Sequence, residues 1–433
     1  MQHSGSALPA ILGGKAAVTL DQSAATRWPM ITAEDESSVL AVMRQGDLSF
    51  NPVTQQLERD YCDFTGRRYV LAHCNGTAAL LAAFFALGLE PGDEVLVPSA
   101  TFWASVVPML WVGAVPVFCE SEPDRLGLDP ADAEAKITSR TRALMMVHLW
   151  GMPSKTCELI ELARRHNLKL IEDASHALGA SVDGRKCGSF GDISVFSLQS
   201  GKLAPAGEGG IFLTDNETYW ERATCLGDME RTLRLTTPAR RFAGTTFGIK
   251  TRLAPVCAAI ARVQLKRLEE RNARRRENMI YLSRKLQAFG LQTYLEPPGV
   301  TRVYLDFLLR YDAGRFGLPI NHLVDALVAE GCLAATPRYP LLHQQPLFTE
   351  GHFRRIARLP DGLKPPAYDP RAMPRTEALA REFIRLPAFP WASRELLDQY
   401  ATGFEKVLTH CREIAAAVKV TGQLQKSSSN QNY

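Results

Sequence analysis

Small, polar and charged residues gather in this chain where apolar runs give way to loops. In FSLQSGKLAPAGEGG (196–210), Lys202 follows Ser197 and Gln199 and precedes Gly207, Gly209 and Gly210. A primary amine held in such a loop can attack a carbonyl, although a solvent-facing charge is the ordinary reading of an isolated lysine. The glycines admit positive φ or a close approach of backbone to a ligand. In IEDASHALGA (171–180), Glu172 and Asp173 end an apolar run and His176 follows. A carboxylate there is costly to bury without a cation or proton beside it. Asp173 therefore suits a protonated heterocyclic nitrogen, and His176 a nearby phenolate oxygen. Taken alone, each also reads as a helix cap and a satisfied core histidine. In HCNGTAAL (73–80), Asn75, Gly76 and Thr77 open an apolar helix whose free N–H groups suit phosphate, or form an N-cap and nothing more. VPSATFW (97–103) offers Phe102 or Trp103 to a flat ring or to the core.

Together these loops supply a phosphate cradle, a carboxylate for a ring nitrogen and a lysine amine, the three handles of pyridoxal 5′-phosphate. The elements that position them follow a regular alternation. Strands are predicted at RYVLAH (68–73), EVLVPS (94–99), VPVFCE (115–120), ALMMVHLW (143–150), LKLIED (168–173), ISVFSL (193–198) and GIFLTD (210–215). Helical patterns fill gaps at 77–89, 129–138 and 156–166. Apolar strands alternating with helices predict a mostly parallel sheet covered on both faces, with ligands beyond the carboxyl ends of its strands.

The character changes near residue 252. A long helical pattern (257–289) carries Leu265, Leu268, Met279, Leu282 and Leu286 on one stripe. Its arginines 271, 274, 275 and 276, interspersed with glutamates, read as a solvated face. Runs at 303–312, 322–332 and 381–389 predict a second α+β unit, and the Pro-rich 361–374 a loop. The division expected is a large α/β cofactor-binding domain at 25–265, a small C-terminal α+β domain at 266–420 and a mobile tail at 421–433.

Composition excludes several classes. With 433 residues, 46% hydrophobic and 22% charged, the chain reads as globular and too long for one core. A net charge of +4 is too slight to argue for nucleic acid or membrane partners. LLAAFFALGL (80–89) is far short of the roughly 20 residues that span a bilayer. MQHSGSALPA lacks the pattern of a secretory signal. Nine cysteines without a CxxC pair predict reduced thiols in a cytoplasm and no metal site.

At this point NGTAAL, PGDEVLVPSATFWAS, LDPADAEAKITSRTRALMMVHLWG, IEDASHALGA, GSFGDISVFSLQSGKLAPAGEGGIFLTD and RVQLKRLEERNARRREN resemble successive signatures of the DegT/DnrJ/EryC1/StrS aminotransferases. The resemblance continues through RYPLLHQQPLF (338–348) and LPAFP (386–390), covering residues 50 to 405. It implies a fold-type I pyridoxal-phosphate transferase, with a mostly parallel central sheet in the large domain. Lys202 would hold the cofactor and shuttle the proton, with Asp173 at the pyridine N1–H and His176 at the 3′-oxygen. Phe102 would stack on the ring. Gly76, Thr77 and Ser197 fall on phosphate-binding positions, with Asn75 and Gln199 nearby. Leu203 departs from the asparagine that often follows the lysine. GIKTRL (248–253) replaces the family's GxNxRM, so Lys250 stands where an asparagine reaches the neighbouring subunit's phosphate; a homodimer with active sites at its interface is thereby implied.

The function implied is amino transfer from glutamate or glutamine to a keto-sugar or keto-cyclitol, in secondary-metabolite or surface-sugar biosynthesis. QSGKL with DASHA is closer to the 3-amino-5-hydroxybenzoate synthase and cyclitol branches. An aminodehydratase or aromatase of that kind is the alternative enzyme reading, and a non-catalytic cofactor-binding regulator the alternative of another class. Family dehydratases of deoxysugars carry His at the lysine position, and Lys202 argues against that branch.

Overall fold

The computed structural model describes residues 7–421. All the strands expected before residue 215 form, and they join in one seven-stranded sheet. They are β1 (Tyr69–His73), β2 (Glu94–Pro98), β3 (Val115–Cys119), β4 (Thr141–Val147), β5 (Lys169–Asp173), β6 (Ile193–Ser197) and β7 (Gly210–Thr214). Their order is β1-β7-β6-β5-β4-β2-β3. Neighbours are parallel except at β7, which runs antiparallel to both β1 and β6. The carboxyl ends of β1, β2, β5 and β6 therefore share one edge, and the start of β7 joins them there.

Burial on both faces explains the apolar composition of these strands. Val95, Val97, Met145, Ile171 and Val195 pack on one side with Leu80 and Phe84 of α3 (Gly76–Leu87). The alternate residues Leu96, Leu144, Met146 and Leu170 pack on the other with Leu159 and Leu162 of α4 (Thr156–Arg165). Two long helices precede the sheet among the described residues, α1 (Ala33–Gln45) and α2 (Val53–Thr65).

The long helical pattern divides into α5 (Pro255–Lys266) and α6 (Leu268–Ala288). The break falls at Arg267, with φ −97° and ψ 1°. The leucine and methionine stripe is buried as its period predicts. The arginines depart from expectation. Arg274 and Arg276 pair at the surface with Glu270 and Glu296, but Arg271 and Arg275 are only 3% and 4% exposed. The reason is the N-terminal segment packed against α6: Arg271 donates to Gln264 Oε1 and the Met30 carbonyl, and both guanidiniums lie against the Trp28 ring.

A second, antiparallel sheet contains β8 (Gln292–Thr293), β9 (Asp306–Arg310) and β10 (Phe383–Pro387), with β9 central. Its core draws on Met279 and Leu282 of α6, Phe307 and Leu309, α7 (Ile320–Ala329) and α8 (Arg394–Thr409). Val18 and Ala25 belong to this core. Glu330, fully buried, binds the N-terminal segment: its carboxylate accepts from Ala10 N (2.7 Å), Ala17 N (2.8 Å) and Lys406 Nζ (2.7 Å). Residues 342–379 instead return to the first sheet, where Phe348 packs edge-on to Phe118 at 5.0 Å. The Pro-rich run follows this edge, and Tyr368 OH donates to the Pro116 carbonyl (2.7 Å). The nine cysteines are all free. No helix among the described residues is long and apolar enough to cross a membrane. The expected tail, beyond Thr421, lies outside the described residues.

Candidate active site

A cavity of about 780 Å³ opens where the strand ends of the large sheet face the second sheet and the N-terminal segment. Asn75, Gly76, Thr77, Phe102, Asp173, His176, Ser197, Gln199 and Lys202 all line it. Lys250 does not. It is exposed, on a segment held beside β1 by the Cys74 N–H, which donates to the Thr251 carbonyl (2.6 Å).

Asn75 caps α3, its side chain accepting from Ala78 N (2.8 Å). The N–H groups of Gly76 and Thr77 fall in the first turn, which leaves them without helical acceptors. Backbone is packed tightly here: a Cβ on Gly76 would meet Ser197 Cβ at 2.9 Å, and one on Gly210 would meet the Asn75 carbonyl oxygen at 2.2 Å. The last glycine of GEGG is thus demanded by close approach, and Gly207 by its φ of 82°. Gln199 is exposed and occupied within its own turn, accepting from Gly201 N (2.8 Å) and donating to Ser200 Oγ (2.8 Å).

The strand period separates the two carboxylates of β5. Glu172 turns away from the cavity and accepts from Gly188 N, Phe190 N, Gly191 N, Ser194 Oγ and His148 Nε2. Burial alone would raise its pKa, but these donors, His148 foremost, hold it at about 2. His148, Glu172 and Cys187 bring metal-ligating atoms within 4.8 Å of one another, yet both Glu172 oxygens are already saturated. Asp173 faces the cavity, its carboxylate accepting, among the described residues, from Ser105 Oγ (2.7 Å) and Ser175 N (3.1 Å) alone.

His176 is buried, and its Nδ1 accepts from Trp150 N (3.3 Å). Burial, with the nearby cations Lys202 and Arg338, pushes its pKa well below 6.5. The ring is therefore neutral and carries its proton on Nε2. Burial likewise lowers the Lys202 amine from 10.5 to about 8; Asp173 opposes the shift and Arg338 adds to it.

Residues that sequence reasoning missed complete the walls. Trp28 Nε1 donates to the Lys202 carbonyl (3.0 Å). Tyr339 stacks on Trp150 at 4.9 Å and 9°, with His176 6.0 Å away and Phe102 at 5.5 Å. Arg338 pairs with Asp306 (2.9 Å), and Arg275 reaches the cavity from α6. Arg338, Tyr339 and Arg275 lie in runs noted for their resemblance, 338–348 and 262–278, but nothing in the sequence marked them as cavity residues, and Arg275 was read as part of a solvated face.

A parallel sheet with a buried lysine, an aspartate and a helix N-terminus on one edge is the architecture of a fold-type I pyridoxal-phosphate transferase. Within that class the chain belongs to the DegT/DnrJ/EryC1/StrS aminotransferase family, which it matches over residues 29–402. It is 32% identical to the L-glutamine:scyllo-inosose aminotransferase of Streptomyces griseus over 90% of this chain and 95% of that one. Among solved structures, DesI in the presence of its TDP-sugar product superposes with a TM-score of 0.79, at 28% identity over 95% of this chain and 98% of that one. 3-Amino-5-hydroxybenzoic acid synthase superposes with a TM-score of 0.75, at 28% identity over 88% and 98%.

Proposed function

We propose that this aminotransferase uses pyridoxal 5′-phosphate to move an amino group from glutamine or glutamate to a ketone on a sugar or carbocycle. The observation that carries the reading is the convergence of Lys202, Asp173, His176 and the Asn75–Thr77 helix start on one cavity. The residues fit the cofactor: a close-packed backbone cradle at Gly76 and Gly210, a carboxylate with lone pairs left over, and a lysine of lowered pKa. When bound, the cofactor supplies an electrophilic aldehyde and a ring that takes up charge as the donor's Cα–H bond breaks.

Each side chain then has a task. Near neutral pH part of the Lys202 population is uncharged, the form of the amine that would hold the cofactor's aldehyde carbon and would take up a proton from the donor's Cα. Asp173, oriented by Ser105 and Ser175, accepts the ring N–H. His176 donates from Nε2 to the ring oxygen. The Gly76 and Thr77 N–H groups and the Ser197 hydroxyl hold phosphate, and Phe102 supplies an aromatic wall. Lys250, outside its own cavity, is read as serving that of a second copy in a homodimer. We assign the cofactor-binding domain to 25–265 and the small domain to 266–420, with residues 342–379 of the latter folded back on the large sheet, in a cytoplasmic enzyme with reduced thiols.

The glutamine donor and cyclitol or sugar acceptor rest on the named relatives. Adding L-glutamine or L-glutamate to the protein reconstituted with pyridoxal phosphate is expected to move the visible absorption band of the lysine-bound cofactor to shorter wavelength. No shift with any amino acid would overturn the reading. A product lighter by one water than the simple amine would move it to the aminodehydratase alternative.

A further inference from the structure

The arginines lining the cavity are in different electrostatic states. Arg338 is half exposed and shares the Asp306 carboxylate (2.9 Å) with Arg385 (3.3 Å), and Arg27 is exposed to solvent. Arg275 is 4% exposed and has no carboxylate partner among the described residues. Its one hydrogen bond is a long contact with Asn272 Oδ1 (3.5 Å), which leaves most of its five donors uncommitted. Its guanidinium rests on the Trp28 ring, 4.2 Å from the centroid. A buried guanidinium without an anion is an unbalanced charge. Burial, and then Arg271, pulls its pKa from 12.5 to about 9, the direction a missing anion gives.

We infer that Arg275 binds the α-carboxylate of the amino donor, with Trp28 holding its guanidinium at a fixed place relative to Lys202. The inference rests on the aminotransferase reading above and adds the residue that recognises the donor. An α-amino acid carries its carboxylate on the carbon that bears the reacting amine, so the anchor must lie close to the lysine. Trp28 makes that link, because the ring under Arg275 also donates its N–H to the Lys202 carbonyl (3.0 Å). The acceptor is a poorer match: a cyclitol ketone of the inosose type is uncharged and a nucleotide-linked sugar carries its charge on a diphosphate away from the reacting ketone, whereas glutamine and glutamate keep an ionised α-carboxylate on the reacting carbon itself. Planar two-pronged hydrogen bonding to a carboxylate is the geometry that arginine serves best.

The test uses the reconstituted holoenzyme, with L-glutamine, its α-carboxamide and a keto-cyclitol or keto-sugar acceptor as probes. Arg275→Gln is expected to raise the KM for glutamine by roughly 10- to 100-fold, with a smaller change in kcat and none in the acceptor KM. The same rise should appear in glutamine titrations of the cofactor absorption band, and Arg275→Lys should recover part of the loss. The wild-type protein should favour glutamine over its α-carboxamide by a similar factor, and Arg275→Gln should erase that preference. An unchanged glutamine KM, a rise confined to the acceptor KM, or a wild-type protein indifferent to the α-carboxamide would each overturn the assignment. The carboxamide comparison needs only the wild-type protein and can still overturn the assignment should the Gln variant fail to fold, and Arg275→Lys then supplies the residue-specific readout. A wild-type band that no amino acid moves would sink the aminotransferase reading itself, a different result from any of these.

Discussion

The cavity has two sides built in opposite ways. On the sheet side, Asn75, Asp173, Ser197 and Lys202 sit within a few residues of a strand end. The opposite wall is assembled from distant segments, Trp28, Arg275 and Arg338–Tyr339, joined by ring stacking and single hydrogen bonds. On the proposed reading, the contrast puts the bond-making groups at strand ends and leaves substrate recognition to a wall that can differ between relatives without disturbing the sheet. Within β5 the contrast narrows to adjacent residues. Glu172 has five donors and holds the strand, whereas Asp173 keeps acceptor capacity for a ligand.

Changes on the sheet side should therefore strike kcat, and changes in the wall KM. Lys202→Ala should give the largest effect, a loss of turnover on the order of 10⁴-fold in steady-state assays; near-normal transamination by that variant would break the comparison outright. Asp173→Asn should lower kcat by roughly 10²–10³-fold and leave the melting temperature nearly unmoved. Glu172→Ala should do the reverse, costing about 3–5 kcal/mol because buried donors lose their acceptor, read as a drop in Tm on the order of 10 °C. Equal Tm losses in the two β5 variants would show that the residues are not divided as described.

The pH dependence tests Lys202 directly. Only the uncharged amine attacks an aldehyde, and burial sets its pKa at about 8. The rate at which cofactor-free protein captures pyridoxal phosphate should rise by about tenfold between pH 7 and 9 and then level off; a rate still climbing toward pH 10.5 would mean an unperturbed lysine. The smallest effect is expected in the wall. Tyr339→Leu removes a stacked ring from Trp150 and should raise a substrate KM by roughly 2- to 10-fold, with little change in kcat.

The sheet side was legible in the sequence because each ingredient is local. Buried parallel strands are short continuous apolar runs, and the observed bounds of all but one strand fall inside the runs quoted from the sequence; β4 starts two residues early, at Thr141. Strand ends point to the loops, and a lysine beside glycines marks the loop that matters. The assembled wall was not legible. Arg271 and Arg275 share a helix with glutamates and carry the pattern of a solvated face; only the packing of Trp28, more than 200 residues earlier, buries them. Glu172 and Asp173 could not be told apart by type, although the alternation of strand residues separates them once the strand is placed. Tyr339 lies in a run noted for its resemblance alone, with nothing local to mark it as a ring partner of Trp150.

The clasp at Glu330 has a practical bearing on where this gene can be cut. The leading residues look dispensable, since the first long helix starts at Ala33 and the sheet at Tyr69. Yet Ala10 and Ala17 are tied by their N–H groups to a carboxylate some 300 residues downstream, and the stretch they secure leads to Trp28. A fragment begun at the first long helix would keep every strand of the large sheet and both lysine and aspartate, but not the tryptophan that bonds the lysine's carbonyl. Affinity tags and fusion partners at this end are best attached ahead of Ala10, leaving the clasp whole.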